Sequence, residues 1–544
     1  MLARAALLVV ALAAAAPAAE RSYEDWSSQV DRVLEELRQS RSLKDRVAFQ
    51  DELGKLVREP VSPPDERVKK LEALLPLAPE GPMLDGVAEA LLALRSPAAL
   101  SVILAALERS DWVNLQGREL GENGRETRWR VLEYHVTCAA DAAAAAVARG
   151  GSPPEVSPEV RALLVGELTS KAPRRVRAAA LLLGGWGVKD AAGELAAALG
   201  RHEDPQEEGR WTRALLLEAL GRTDPVQAGP QVLASAGSSD VGERLAAIPV
   251  LGHLAGREAD KALGRALEDK RWFVVRAAIE ACTRRRTAEA TGLLVARLPK
   301  ASPRIERELM RALVDLSGGE VPGDPAHVAG WWAARQAGFQ PAAPGAPPRA
   351  AAAGATRTRK APSYFSSTVD SDRVCVVFDT SGSMAEGAIR VAPPEGEKGE
   401  ASSGTPFQVT LRQIGGLLAG FKGEFNLIAY SDAVTPFQSK LVAAAKGKLK
   451  EADKFLGGLK PAGETNIYDA LTLALSDPEV DTIYFLSDGA PNRGARVTPT
   501  EILEGIERAN RFRRVVIHTI QIGQDQELMQ RLAARNGGTY RLVE

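Results

Sequence analysis

The sequence predicts two architectures in one chain: an all-α solenoid of repeated helix pairs, followed by an α/β doubly wound, mostly parallel sheet. Three observations predict this. A helix-pair pattern recurs at a regular spacing within residues 22–340. Residues 341–362 are rich in proline and alanine, which predicts a linker between the two architectures. In residues 363–544, segments typical of buried strands alternate with helices, which favours a mostly parallel sheet.

Length and composition narrow the class of protein. The chain has 544 residues, too many for a single hydrophobic core. Its formal net charge of −1 gives no reason to expect nucleic acid or an anionic membrane as a partner. No segment after the N-terminal region is apolar for long enough to predict a stable membrane span.

The N-terminal residues predict export. Arg4 provides a positive flank, Ala5–Ala16 form a short apolar stretch, and Ala16-Pro17-Ala18 fits a small-residue cleavage site. Twelve apolar residues are too few for a membrane anchor, which needs about 20. We therefore predict a signal peptide over residues 1–18 and a periplasmic or extracellular location, in a bacterium judging by the composition.

The three cysteines suggest neither a disulfide framework nor a metal centre. Cys138, Cys282 and Cys375 are far apart in the chain and each lies in an apolar segment. We interpret them as buried small hydrophobic residues.

The helical region contains a repeat that begins with arginine. Apolar residues recur three and four positions apart, and five small-residue helices carry an arginine near their start, with gaps of 36, 31, 32 and 31 residues. These arginines are Arg177, Arg213, Arg244, Arg276 and Arg307. The pattern resembles HEAT-type repeats, which stack into a solenoid because one helix pair cannot bury its apolar face alone. Trp331 and Trp332 look like part of a terminal helix that covers the last repeat.

The C-terminal region alternates strands and helices. The predicted strands are Val374–Asp379, Phe425–Ser431, Thr482–Asp488, Val515–Gly523 and Thr539–Val543. The predicted helices are Phe407–Phe421, Ala445–Leu456, Ile467–Leu475, Pro499–Arg511 and Glu527–Asn536. Thr498 before Pro499 is a strong helix start, and Gly537-Gly538 a plausible helix end.

Polar side chains follow two of these strands and precede one helix. Asp379, Ser381 and Ser383 come directly after the first strand, Asp488 ends another, and Thr465 precedes a helix. Ligands bind beyond the carboxyl ends of the strands in open α/β sheets, so we expect these five side chains to converge. Carboxylate and hydroxyl oxygens suit Mg²⁺ or Mn²⁺, and they lack the sulfur and nitrogen that zinc favours.

These residues resemble the von Willebrand factor type A domain and its metal-ion-dependent adhesion site. That family has Asp-x-Ser-x-Ser, then Thr, then Asp in three loops, and the five residues above occur in that order. The resemblance extends from Tyr364 to the end of the chain. It implies that the hydroxyls bind Mg²⁺ (or Mn²⁺ or Ca²⁺), that the aspartates often act through water, and that an acidic group of a protein partner completes the coordination shell.

Two features depart from the family pattern. Glu464 stands where the family commonly has glycine, and we expect its side chain to face solvent. Ala385–Thr405 inserts a loop beside the site, which includes Glu386, Glu395, Glu397 and Glu400. Its composition favours a disordered segment over a gate or specificity loop.

Three functions compete. The first is an exported binding or scaffold protein that recognises an acidic residue of a protein partner through the metal. The alternative makes the helical solenoid the main protein-binding surface and the metal site structural or vestigial. The third is an enzyme, but the sequence shows no nucleophile with a neighbouring base, no zinc motif and no phosphate loop. We therefore predict that the protein is not an enzyme.

Overall fold

The computed structural model describes residues 21–343 and 363–544, except 41, 80, 117, 203–205, 366, 370 and 392–400. The predicted signal peptide and most of the predicted linker lie outside these residues. The chain divides into two compact units, Met1–Ala262 and Leu263–Glu544. None of the described helices is both long and apolar enough to cross a membrane.

Most of the described residues between Tyr23 and Ala333 lie in helices. In chain order they are α1 (Tyr23–Gln39), α2 (Leu43–Arg58), α3 (Pro64–Leu74), α4 (Pro82–Leu94), α5 (Pro97–Ala106), α6 (Glu122–Ala148), α7 (Pro158–Glu167), α8 (Pro173–Gly185), α9 (Ala192–Arg201), α10 (Glu207–Thr223), α11 (Gly229–Ser235), α12 (Val241–Leu251), α13 (Arg257–Leu267), α14 (Trp272–Arg285), α15 (Ala288–Arg297), α16 (Pro303–Ser317) and α17 (Val328–Ala333). Two short strands, β1 (Arg21–Ser22) and β2 (Val61–Ser62), pair in parallel.

Alternate helices pack against one another, which confirms the predicted solenoid. In the first unit the row runs α2, α4, α6, α8, α10, α12, and in the second unit α14 packs on α16. Small residues allow the close approach of these helices: a Cβ on Gly184 of α8 would lie 2.6 Å from the Cα of Ala219 in α10. A Cβ on Gly221 of α10 would meet Val250 of α12 at 2.2 Å. The alanine and glycine content of the helical region therefore has a packing role.

Three of the repeated arginines link one repeat to the next. Arg177 binds Glu208 at 2.8 Å, and Arg213 binds Glu243 at 2.8 Å. Each arginine thus reaches a glutamate in the first turns of the next helix of the row, about one repeat later. The Arg276 guanidinium lies 3.6 Å from Glu308 in the same way.

The predicted terminal helix is present. Helix α17 packs on α15, with Trp331 buried and the ring of Trp332 next to Gly292. The two tryptophans and Phe339 form an aromatic cluster, with ring centroids 5.1–6.1 Å apart. This arrangement agrees with the interpretation of the tryptophan pair as part of a cap.

The C-terminal elements closely match the predicted strands and helices. The strands of the C-terminal region are β3 (Ser363–Tyr364), β4 (Ser367–Thr368), β5 (Arg373–Asp379), β6 (Ile389–Val391), β7 (Ser402–Gly404), β8 (Glu424–Tyr430), β9 (Val434–Pro436), β10 (Val442–Ala443), β11 (Thr482–Ser487), β12 (Val516–Ile522) and β13 (Tyr540–Val543). Its helices are α18 (Pro406–Gly420), α19 (Lys446–Gly458), α20 (Ile467–Ser476), α21 (Pro499–Asn510) and α22 (Glu527–Arg535).

The main sheet has the order β10-β8-β5-β11-β12-β13, and β9 also pairs with β8. The strands from β8 to β13 in this order pair in parallel, whereas β9 and β10 are antiparallel to β8. This confirms the doubly wound, mostly parallel fold. Strands β5 and β11 are adjacent at the centre, so the residues after each strand meet at one edge of the sheet.

Both ends of the insertion beside the site form short β-strands. Strands β6 and β7 pair in an antiparallel ladder, and Arg412 of α18 donates to the Oγ of Ser402 at 3.0 Å. The expectation of a disordered insertion is therefore wrong for these segments. Glu395, Glu397 and Glu400 lie outside the described residues.

Within the second unit, α14 contacts the edge of the sheet opposite the candidate site. The Nε1 of Trp272 donates to the carbonyl of Pro478, before β11, at 3.0 Å. Arg514, before β12, binds Glu280 at 2.7 Å, and its carbonyl accepts a hydrogen bond from Arg276 at 3.1 Å. These contacts join the last helix pairs to the α/β fold.

None of the three cysteines, all within the described residues, forms a disulfide bond. Cys282 and Cys375 are buried, but Cys138 is only half-buried, so the interpretation of three buried residues is wrong for Cys138. His518 of β12 is only partly buried. Its Nδ1 bonds the Thr539 hydroxyl at 2.9 Å, and its ring stacks on Tyr484.

Candidate metal centre

The first loop of the site leaves β5 at Asp379. Asp379 is fully buried, and its carboxylate accepts hydrogen bonds from the Ser381 backbone at 2.7 Å and from the Ser487 hydroxyl at 2.8 Å. Both carboxylate oxygens are thus hydrogen-bonded, as is usual for buried polar atoms. Asp379 forms the floor of the site.

The two serines lie above this floor. The hydroxyls of Ser381 and Ser383 are 3.1 Å apart, and Ser383 donates to Asp488 at 3.0 Å. Ser381 is buried, whereas Ser383 is exposed and Asp488 is partly exposed. The site therefore passes from a buried carboxylate to a mouth that is open to solvent.

Thr465 is buried beside the turn that follows β11. A Cβ on Gly489 would lie 3.7 Å from the Thr465 hydroxyl oxygen, so this hydroxyl is next to the Asp488 turn. The Gly463 carbonyl accepts a hydrogen bond from Gly382 at 3.0 Å, which ties the threonine loop to the serine loop. The structure thus brings all five predicted residues to one edge of the sheet.

The electrostatics of the site favour a cation. Burial raises the pKa of Asp379 to about 6, and the charge of Asp488 adds to this rise. Burial also raises the pKa of Asp488, with a further contribution from Glu386. No basic side chain is among the groups that shift either pKa. The site therefore offers two carboxylates and three neutral hydroxyls, a donor set that fits Mg²⁺ or Mn²⁺.

The described residues contain no group of three or more His, Cys, Asp or Glu side chains that could hold a metal ion. The candidate site has two carboxylates, and hydroxyl groups supply its remaining oxygens. That these residues bind an ion stays a prediction.

The side chain of Glu464 is about half exposed, at 52%, and lies 3.7 Å from Arg493. It faces solvent, as expected. Asp469 lies in the first turn of α20 and accepts hydrogen bonds from the Asn466 side chain and from the Ala495 backbone.

Three further residues hold the site, and sequence reasoning missed them. Ser487 bonds Asp379, Tyr430 donates to the Leu486 carbonyl at 2.9 Å, and Asn492 bonds the backbone of Thr465. Ser487 precedes Asp488 and could have been considered, but Tyr430 and Asn492 carry no signal in the sequence, because their partners are distant in the chain.

Residues 411–542 match the model of the von Willebrand factor type A domain. Human von Willebrand factor A domain-containing protein 3A is 27% identical over 177 residues, which are 32% of this chain and 13% of that protein. Human inter-alpha-trypsin inhibitor heavy chain H4 is 24% identical over 224 residues, which are 35% of this chain and 24% of that protein. The chain thus aligns with less than a quarter of either relative.

Two solved structures are similar to separate parts of the chain. A von Willebrand factor type A structure from Catenulispora acidiphila is 16% identical, with a TM-score of 0.25, and covers 33% of this chain and 39% of that one. An archaeal HEAT-like repeats protein from Thermococcus onnurineus NA1 is 13% identical, with a TM-score of 0.29, and covers 45% and 95%. Both TM-scores lie below 0.5, so neither likeness bears on function.

The C-terminal region is therefore a von Willebrand factor type A domain, preceded in the same chain by HEAT-like helix pairs. Domains of this type are generally protein-interaction or adhesion modules. None of the names of the two relatives above denotes an enzyme, and the absence of catalysis stays a prediction.

Proposed function

We propose that this protein is an exported, non-catalytic binding or scaffold protein. Its von Willebrand factor type A domain recognises a protein partner through a divalent cation, Mg²⁺ or Mn²⁺. Asp379, Ser381, Ser383, Thr465 and Asp488 hold the cation, and an acidic side chain of the partner completes its coordination. The helical solenoid carries the domain.

One observation carries this proposal. Ser383 lies between Ser381 at 3.1 Å and Asp488 at 3.0 Å, above the buried Asp379. A buried carboxylate is costly unless a positive charge compensates it, and the groups that shift the pKa of Asp379 include no basic side chain. A bound divalent cation would supply that charge.

The choice of ligand types supports binding over catalysis. Neutral hydroxyls leave most of the charge of the ion uncompensated, so the ion attracts a further carboxylate. Mg²⁺ usually keeps several waters, and one of these can be exchanged for a partner oxygen. Ser383 and Asp488 lie at the solvent-facing mouth, where a partner has access.

The proposed export rests on the composition of residues 1–18. Mass spectrometry of the protein from its host would test it. A mature N-terminus near residue 19 is expected, and an intact Met1 in an intracellular fraction would contradict export.

Calorimetric titration of the full chain with Mg²⁺ tests the metal site. The wild type should bind one ion and Asp379→Ala should bind none. Asp525→Ala is the matched control, because Asp525 follows β12 at the same edge of the sheet but lies outside the five residues. No binding by the wild type, or undiminished binding by Asp379→Ala, would contradict the proposal.

Affinity capture in Mg²⁺, followed by elution with a chelator, tests partner recognition. A protein that the chelator releases and that Asp379→Ala fails to capture supports the proposal. A partner retained in chelator and bound equally by Asp379→Ala would favour the helical solenoid as the binding surface.

A further inference from the structure

Asn492 lies in the loop after β11, four residues beyond Asp488. It forms hydrogen bonds with both the backbone N–H and the backbone carbonyl of Thr465. The N–H of Thr465 donates to the Oδ1 of Asn492 at 2.7 Å. The N–H of Asn492 donates to the carbonyl of Thr465 at 3.2 Å, and the N–H of Arg493 donates to the same carbonyl at 3.3 Å. The loop that begins with Asp488 is thus joined to the residue that provides the third hydroxyl.

A second contact joins the same two segments. The N–H of Ala495 donates to the Asp469 carboxylate at 3.3 Å, and the side chain of Asn466 bonds the same carboxylate at 2.8 Å. Gly494 has φ +107°, and a Cβ there would lie 2.0 Å from the Oδ1 of Asn466. Residues 492–495 therefore run closely along residues 465–469, and only glycine fits at position 494.

We propose that Asn492 is a positioning residue of the metal site, which keeps the Thr465 hydroxyl and the Asp488 carboxylate at a fixed separation. The inference rests on the proposed function, since it assumes that these two residues hold the ion. Asn492 itself touches backbone and is not a ligand. It acts by joining the threonine loop to the loop after β11. The hydrogen bond from Gly382 to Gly463 joins the serine loop to the threonine loop.

A fixed separation between the Thr465 hydroxyl and the Asp488 carboxylate matters more for Mg²⁺ binding than for Ca²⁺ binding. Mg²⁺ requires nearly ideal octahedral geometry with short bonds, whereas Ca²⁺ accepts longer bonds and irregular geometry. Loss of Asn492 should therefore weaken Mg²⁺ binding more than Ca²⁺ binding. Residues that orient metal ligands typically change metal affinity by about 10- to 100-fold when they are replaced.

The test is calorimetric titration of full-length Asn492→Ala with Mg²⁺ and, separately, with Ca²⁺. Because Asn492 is exposed, its replacement leaves the core unchanged. We expect the Mg²⁺ affinity to fall about tenfold or more and the Ca²⁺ affinity to fall less. The ratio of the two affinities then shifts towards Ca²⁺, which general destabilisation of the fold would not produce.

The matched control is Asn114→Ala in the helical solenoid. Its Oδ1 accepts backbone hydrogen bonds from Gln116 and Arg118, both at 3.0 Å, so the variant loses the same kind of contact away from the site. Both affinities should stay at the wild-type value. Asn492→Asp is the rescue variant, because an Asp oxygen can still accept from Thr465, and it should keep the wild-type ratio.

The outcomes separate this inference from the proposed function. A wild type that binds no divalent ion overturns both. A wild type that binds Mg²⁺, with Asn492→Ala binding it equally well, overturns the role of Asn492 alone. An equal loss of both ions in Asn492→Ala, or the same altered ratio in Asn492→Asp, also overturns it.

Discussion

The hydroxyl of Ser383 donates a 3.0 Å hydrogen bond to the carboxylate of Asp488, which lies 105 residues later in the chain. The two residues follow adjacent parallel strands, so the sheet itself brings them together. Below them Asp379 is fully buried and bonded to Ser487. The result is a polar mouth above a buried carboxylate.

Asp379→Asn should stabilise the metal-free protein. Burial raises the pKa of Asp379 to about 6, above the value of about 3.9 in an unfolded chain. The folded state therefore disfavours the charged form. This cost is complete above pH 6 and disappears as the pH falls below about 4. Denaturation in chelator at pH 7.5 should show a free energy of unfolding higher by about 1–3 kcal/mol than the wild type.

The same experiment at pH 4 should show almost no difference between Asp379→Asn and the wild type. Asp525→Asn serves as the control, because Asp525 is exposed and should give no gain at either pH. A variant less stable than the wild type at pH 7.5 in chelator would show that burial of the Asp379 charge carries no cost.

Thr465→Ala and Thr465→Ser form a matched pair. Thr465 is buried, and its hydroxyl lies beside the Asp488 turn. The serine variant keeps the hydroxyl, so its Mg²⁺ affinity should stay within about threefold of the wild type. The alanine variant should lose at least about tenfold, since removal of a ligand costs no less than removal of a residue that orients one. Equal affinities of the two variants, measured by titration, would remove Thr465 from the site.

Trp272→Phe should affect stability and leave metal binding unchanged. It removes the hydrogen bond from Nε1 to the Pro478 carbonyl, which lies at the edge of the sheet opposite Asp488. A lost hydrogen bond of this kind costs about 1 kcal/mol. Thermal denaturation and Mg²⁺ titration of the same sample check both parts. A loss of Mg²⁺ affinity would show that the two edges of the sheet are coupled.

Arg177→Met should destabilise the helical solenoid strongly. Arg177 is 1% exposed and bonds Glu133, Glu208 and Thr212. Its removal leaves Glu133 without this positive partner, and breaking a buried pair costs about 3–5 kcal/mol. Arg213→Met is the comparison, because the Arg213 side chain is 22% exposed and should cost less. Urea denaturation would contradict the account if the two variants lost equal stability.

The strands and helices of the α/β domain were predictable because their signals are local. Thr498 was predicted as a helix cap, and its hydroxyl accepts from the Glu501 N–H at the start of α21. The five site residues were predictable because each follows or precedes a recognisable element. The contact by which Asn492 positions Thr465 was not predictable, since the two residues are 27 positions apart. The same holds for the contact of Trp272 with Pro478 at the opposite edge of the sheet, 206 residues away.

The insertion at Ala385–Thr405 shows that composition alone does not predict which residues are ordered. Its composition favours disorder, yet β6 and β7 pair because their residues lie beside α18 and Arg412. The location predicted from residues 1–18 and the character of the linker stay predictions, because most of these residues lie outside the described chain.

The most direct test of the central claim is a crystal of the full chain grown with Mn²⁺ and measured at a wavelength where manganese scatters anomalously. The account predicts one anomalous peak between the hydroxyls of Ser381 and Ser383 and the Thr465 side chain. Ordered side chains of these residues with no anomalous peak between them, in a saturating concentration of Mn²⁺, would contradict it.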